Sequence, residues 1–462
     1  MPTRARLTPF FAILAAALLA TWPALFNRYP LLYADSLSYL GEGLPLLHAF
    51  WHKADTFIGM RSEFYSLGIV VFHWGISPWP VVALHALLTA YIVWLVVRAF
   101  VARHTVAKYL ILMALLSLLT SMSWYVSLIM PDILGPVLYL CICLLVFARE
   151  SLSKAEHWAV ALIAGFGIVA HSTHLVLSLW IIAILTSLLI FKSRFMQHRG
   201  RALGEVALLV AIAAVAQVAL HTYLYGEPSL NGRRLPYLTA RFVADGPERW
   251  YLQQHCATEQ WVLCAHVQNL PDNDDDFIWG ENTIWTTSSP AAQQQILTQE
   301  MPLLFATLHA YPRQQLAISL GSFVQQLNDF GVNDFDNNTW MEASIEETMP
   351  GAHARYERSL QAHDSVPTNF FTQLQRWPVF AAVFLIAAFV PWLWRQRQTR
   401  LLGFLIVIIP TLIANAFITA VASEVDSRFQ ARVIWVLPLL AGLIVFCWMD
   451  SRHVTPQIIA GS

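Results

Sequence analysis

Ionisable side chains stand at the margins of long apolar runs in five places along this chain. Asp35 lies in YADSLSYL, just past the first apolar run, with Glu42 two helical turns further on. Arg61 and Glu63 fall in MRSEFYS, and Asp132 follows Pro131 in SWYVSLIMPDILGP. Glu424, Asp426, Arg428 and Arg432 crowd together in SEVDSRFQARVIW, and His171 and His174 share AHSTH. Charged groups beside apolar spans are costly, so each is a candidate for function. A carboxylate so placed can take a proton as a general base. An arginine fork can grip a phosphate. Two histidines spaced i, i+3 can share a helix face and hold a metal.

Each group also has a plainer reading. Asp35 can be a solvated loop charge, and Asp132 can complement a helix dipole from the first turn. The 424–432 loop can pair its own charges, and the histidines can bond headgroups or loop carbonyls. The chain has no P-loop, GxGxxG, HExxH or zinc-ligand spacing. PDNDDD lacks the glycine and closing glutamate of a calcium loop. NNT at Asn337 has the form of a glycosylation sequon.

The elements that position these groups are set by composition. Of 462 residues, 57% are hydrophobic and 12% charged, with a mean hydropathy of +0.52. A soluble domain carries about 25% charged residues. Apolar runs near the ~20 residues that cross a hydrocarbon core recur, so the expected class is an all-α polytopic membrane protein. The net charge of −1 suggests no nucleic-acid partner. Ten spans are expected near 8–26, 79–97, 109–124, 133–148, 157–170, 174–191, 203–223, 377–394, 401–421 and 433–449. The first follows a basic MPTRAR and reads as a retained signal-anchor.

Basic residues set the expected orientation. One set of short loops and termini carries most of them, including Arg98, Arg103, Arg149, Lys192, Arg199, Arg201, Arg395 and Arg397. The opposite short loops hold only Arg28, Lys53, Arg61, Arg428 and Arg432. Both termini are therefore expected in the cytoplasm, with Asp35, Asp132 and the 424–432 loop outside. Two arginines at 428 and 432 oppose that bias, and an anionic lipid phosphate would explain them.

Three modules follow. Residues 1–223 form an N-terminal transmembrane module whose first outer loop, 27–78, should contain two interfacial helices. Residues 224–376 have soluble composition and read as an outer domain, and 377–462 form a C-terminal transmembrane module. Cys141, Cys143 and Cys447 lie in apolar runs as buried thiols. Cys256 and Cys264 lie in the outer domain, where a disulfide is permitted, and their spacing suggests a local staple.

With YADSLSYL, MPDILG and DSRFQARVIWVLPLL, and the topology over 1–220 and 377–450, the chain resembles the GT-C superfamily of lipid-linked-sugar glycosyltransferases. That group includes the protein O-mannosyltransferases and aminoarabinose transferases. Many members of those branches carry an acidic pair in the first loop, whereas here Asp35 is followed by Ser36. The resemblance implies a GT-C-like bundle of about ten transmembrane helices with a periplasmic insert, in a bacterial inner membrane. It implies transfer of a sugar from a polyprenyl-phosphate donor to an envelope glycan, lipid or protein at the periplasmic face. Asp35, Asp132 and Glu63 are then the catalytic candidates. Arg61, Glu424, Asp426, Arg428, Arg432, His171 and His174 are the substrate-binding candidates. The acids leave a divalent cation open without fixing one. The alternatives are a lipid or polysaccharide transporter or flippase, and an envelope polymerase or ligase using a lipid-linked donor.

Overall fold

A computed structural model describes residues 2–52, 61–232, 234–280, 282–335 and 339–452. Lys53 and the sequon at Asn337 lie outside the described residues. Among those described, the chain is helical throughout, with one isolated bridge between Leu31 and Leu128. It divides into two compact units. One spans Met1–Gly232, Phe330–Leu412 and Ala431–Ser462, and the other spans Arg233–Asp329 and Ile413–Gln430.

The first unit opens with α1 (Pro2–Ala20), α2 (Trp22–Asn27), α3 (Ala34–His52) and α4 (Glu63–His73). There follow α5 (Trp79–Phe100), α6 (Thr105–Leu119), α7 (Met122–Ser127) and α8 (Leu134–Phe147). Then come α9 (Lys154–Val169), α10 (Ser172–Ile190) and α11 (Gly200–Tyr225). Local chemistry sets several of these boundaries. Arg28 takes a left-handed φ of 68° and stops α2. The Ser62 hydroxyl accepts the Tyr65 N–H and caps α4. Ser153 and Glu156 form a reciprocal capping box on α9. α8 is apolar all round and buried at every residue, so it forms the centre of this unit. α3 and α4 pack on each other.

The second unit is built from α12 (Tyr237–Asp245), α13 (Pro247–His255), α14 (Asp275–Ile278), α15 (Ile284–Thr287), α16 (Pro290–Ala310) and α17 (Pro312–Asn328). Its apolar core gathers Val243, Leu252, Leu263, Phe277, Ile296 and Leu303. Cys256 and Cys264 are joined by a disulfide at the edge of that core. Glu300 accepts the backbone N–H groups of Leu238 and Thr239 at 3.1 and 3.3 Å, satisfying the start of α12.

The chain continues with α18 (Thr339–Thr348), α19 (Pro350–Tyr356) and α20 (Thr368–Arg395) in the first unit. α21 (Thr399–Ala422), α22 (Ser427–Ile434) and α23 (Val436–Arg452) follow. Among the described residues, six stretches are long and apolar enough to cross a membrane: Trp79–Phe100, Ser172–Ile190, Gly200–Tyr225, Thr368–Arg395, Thr399–Ala422 and Ser427–Arg452. Thr8–Ala20, Thr105–Leu119 and Pro131–Phe147 are apolar but shorter. The chain is a helical membrane protein.

Candidate functional site

Two pieces of irregular backbone bring Asp35 and Asp132 into one neighbourhood of the first unit. Residues 28–33 link α2 to α3, and residues 128–130 link α7 to the 3-10 turn Pro131–Ile133. The Leu31 N–H donates to the Ser127 carbonyl at 2.9 Å, and the Ile129 N–H donates to the Leu31 carbonyl at 3.1 Å. The same linker is gripped from its other side by Gln361. The Leu32 N–H donates to Gln361 Oε1 at 3.1 Å, and Gln361 Nε2 donates to the Leu32 carbonyl at 2.6 Å. Buried Asn27 completes the hold, its Oδ1 accepting the Gln361 N–H at 2.7 Å. A buried linker must place its backbone polar groups somewhere. Here a strand-like bridge and one glutamine take them.

Asp35 sits in the first turn of α3, where its charge complements the helix dipole. Ser36 stabilises the same turn, its Oγ accepting the Tyr33 N–H at 2.9 Å. Asp35 forms an ion pair with Arg61, whose side chain reaches back from the start of α4. The pair keeps contact with solvent, with Arg61 17% and Asp35 19% exposed. Asp132 is different. Its Oδ1 accepts from Arg432 Nη1 at 3.2 Å, with side-chain exposures of 0 and 3%. Its Oδ2 is buried and has no hydrogen-bond partner, an arrangement that native cores usually avoid.

Tyr39 links the two pairs. It stands one turn after Asp35 on the same face of α3 and is buried. Burial, and then the negative charge of Asp35, push its phenol well above the usual range. The Arg61 charge opposes them, and Asp132 and Glu42 add to the upward push. Charges from α3, the 61–63 turn and the Pro131–Ile133 turn therefore act on one hydroxyl. Nearby, the Tyr65 hydroxyl and His85 Nε2 lie 3.0 Å apart in a fully buried pair.

The histidines of AHSTH have structural occupations. His171 Nδ1 accepts the Thr173 N–H at 3.2 Å and caps α10. His174 Nδ1 lies 2.8 Å from the Gly167 carbonyl. His174 Nε2 sits where a side chain at 135 would stand: a Cβ on Gly135 would come within 2.9 Å of it. His174 lies within electrostatic reach of Asp132 and Arg432. Among the described residues no group of three or more His, Cys, Asp or Glu could hold a metal ion.

Glu63 is turned to a second constellation. His221 Nε2 lies 3.1 Å from its Oε2, and the Tyr225 hydroxyl donates to its Oε1. Both partners belong to the last turns of α11. Glu63 is buried, so the pairing satisfies a carboxylate that would otherwise be costly.

Glu424, Asp426 and Arg428 belong to the second unit. Gln326 clamps Asp426 by its backbone, donating from Nε2 to the carbonyl at 2.7 Å and accepting the N–H on Oε1 at 3.0 Å. Asp426 Oδ1 accepts the Arg428 N–H at 2.8 Å, an N-cap at the start of α22. Arg428 Nε lies 3.6 Å from Asp426 Oδ2. Burial, reinforced by Asp275, Asp426 and Asp274 with Arg428 opposing, pushes the Glu424 carboxyl up to about 8.

Sequence reasoning named both acids and both arginines of the first unit but not their pairing. It passed over Tyr39, although the i, i+4 spacing from Asp35 was visible. Gln361, His85, His221 and Tyr225 carried no local signal. No protein-family model, curated protein or solved structure matches this chain.

Proposed function

We propose that the chain is a membrane glycosyltransferase of GT-C type, moving a sugar from a polyprenyl-phosphate donor to an envelope acceptor. The observation that carries this reading is the meeting of Asp35 and Asp132 around Tyr39, each carboxylate beside an arginine. The reaction needs a base for the acceptor hydroxyl and cations for the departing lipid phosphate. Asp35 is the base because it keeps solvent access, whereas Asp132 is sealed. Arg61 pairs with the Asp35 carboxylate and faces the same solvent-reached edge. There it can exchange its carboxylate partner for a phosphate oxygen. Asp132, paired with Arg432, adds its charge to the surroundings of Tyr39. In this reading the chain spans the membrane ten times in a bacterial inner membrane, with both termini cytoplasmic and the site facing the periplasm.

The test is transfer from a polyprenyl-phosphate sugar pool by purified, reconstituted protein, with donor binding measured separately. Asp35→Asn keeps the shape and removes the proton acceptor. Transfer is expected to fall by about 10²–10⁴ with donor binding retained. Arg61→Ala is expected to weaken donor binding. Normal transfer by Asp35→Asn would remove Asp35 as the base. Absence of any transfer by the unaltered protein across such donors would overturn the reading.

A further inference from the structure

Away from Asp35 and Asp132, the first unit has two adjoining cavities of about 350 and 400 Å³ that share Gln197, His198 and Arg199. Arg149 and Arg201 line one, and Arg194 and Arg397 line the other. Glu150 is the sole acid among the lining residues, and Arg400 pairs with it. Arg149 pairs with Glu205, which also lies 3.9 Å from Arg201. Arg194 and Arg397 form no ion pair among the described residues. The Arg194 guanidinium lies 3.5 Å over the Trp394 ring, and its Nε and Nη2 are shielded from solvent without a hydrogen-bond partner. A cation in that state lacks the acceptor it would ordinarily have.

Two further features favour an anionic, amphipathic occupant. α11 begins at Gly200 and α21 at Thr399, so two long helices turn their N-termini to the basin. The Trp394 ring under the Arg194 guanidinium is exposed, as are Ile190 and Phe191 at the end of α10. Topology alone explains an excess of basic residues at one end of the helices. It does not explain their convergence on a cavity or the shielded atoms of Arg194.

We propose that this basin binds the phosphate of an anionic phospholipid, with the acyl chains lying against Ile190, Phe191 and Trp394. A basic pocket between transmembrane helices, with the exposed Trp394 ring stacked on one of its arginines, suits a lipid headgroup better than a free ion. The site is independent of the transferase reading.

The experiment is native mass spectrometry of the full chain released from nanodiscs of phosphatidylglycerol mixed with phosphatidylcholine. The unaltered protein is expected to retain phosphatidylglycerol selectively. Retention should fall roughly tenfold in the Arg194→Gln/Arg397→Gln variant. Arg194→Lys/Arg397→Lys should restore most of it, which separates lost charge from lost folding. Lys154→Gln, a basic position outside the basin, should retain the lipid normally. Equal retention of the two lipids, or an equal loss in Lys154→Gln, would overturn the proposal. Displacement of the retained phosphatidylglycerol by millimolar inorganic phosphate would overturn the lipid as occupant and leave a free phosphate.

Discussion

Asp132 and Arg432 close an ion pair of 3.2 Å across 300 positions of sequence, in a setting where neither side chain meets solvent. Burying two charges is expensive, and the pair roughly offsets that cost only while both partners remain. Asp132→Asn and Arg432→Gln are each expected to destabilise the protein by about 3–5 kcal/mol, because each removes one charge of a buried pair. The double variant should recover part of the loss. Thermal melting in lipid nanodiscs reads all three, and strictly additive losses would show that the two groups do not act as a unit.

Gln361 replaces a strand partner for Leu32, so its amide stands in for a backbone. Gln361→Ala leaves a buried N–H and a buried carbonyl without partners, at about 2–4 kcal/mol for the two. Gln361→Glu, as the ionised carboxylate, keeps the acceptor but sets its other oxygen against the Leu32 carbonyl, so it should cost at least as much. Hydrogen exchange at Leu32 should rise in both variants, and Asp35-dependent chemistry should weaken with it. Unchanged exchange at Leu32 would show that the linker holds itself.

The Cys256–Cys264 disulfide closes a short loop beside the core of the second unit. Chain-entropy reasoning gives a loop of this length about 2–3 kcal/mol. Cys256→Ser/Cys264→Ser should lower the melting point of that unit without altering the first. In the unaltered protein both cysteines should resist alkylation until a reductant is added.

Glu424 carries a pH signature. Its folded carboxyl titrates near 8 against an ordinary value of 4.5. Below 4.5 it is protonated whether folded or unfolded, and stability is unaffected. Between 4.5 and 8 the unfolded chain releases the proton while the folded chain keeps it, so stability declines as pH rises. Above 8 the decline levels off. Glu424→Gln should flatten this slope and be about 1–2 kcal/mol more stable than the unaltered protein at pH 8, with little difference at pH 4. Parallel melting curves across that range would refute the assignment.

The helices at Ala34–His52 and Glu63–His73 were legible because each carries a local signal, an apolar face too short to span or a capping serine. The long apolar helices were legible for the same reason, since hydropathy over some twenty residues is a local quantity. Asp35 and Asp132 stood out because charge beside an apolar run is locally anomalous. What could not be read were the partners. Arg61 answers Asp35 from 26 positions away and Arg432 answers Asp132 from 300, and no periodicity connects such residues. Nor could composition reveal that Asp426 caps a helix, or that His171 and His174 each spend one ring nitrogen on a backbone group. Arg61 and Arg432, marked as phosphate ligands by their position, already hold carboxylates.

The grip of Gln361 on Leu32 also has a temporal side. The two residues are 329 positions apart. A ribosome adding 5–20 residues per second needs roughly 15–65 s to pass from one to the other. During that interval α1 and α2 have already been made, while the linker that leads into α3 and Asp35 has its pairing with 127–129 but not the grip of Gln361. The nascent protein therefore passes through a period in which residues 28–33 are synthesised but not yet fastened by Gln361. A factor that shelters short apolar helices would act on it there, before residue 361 emerges.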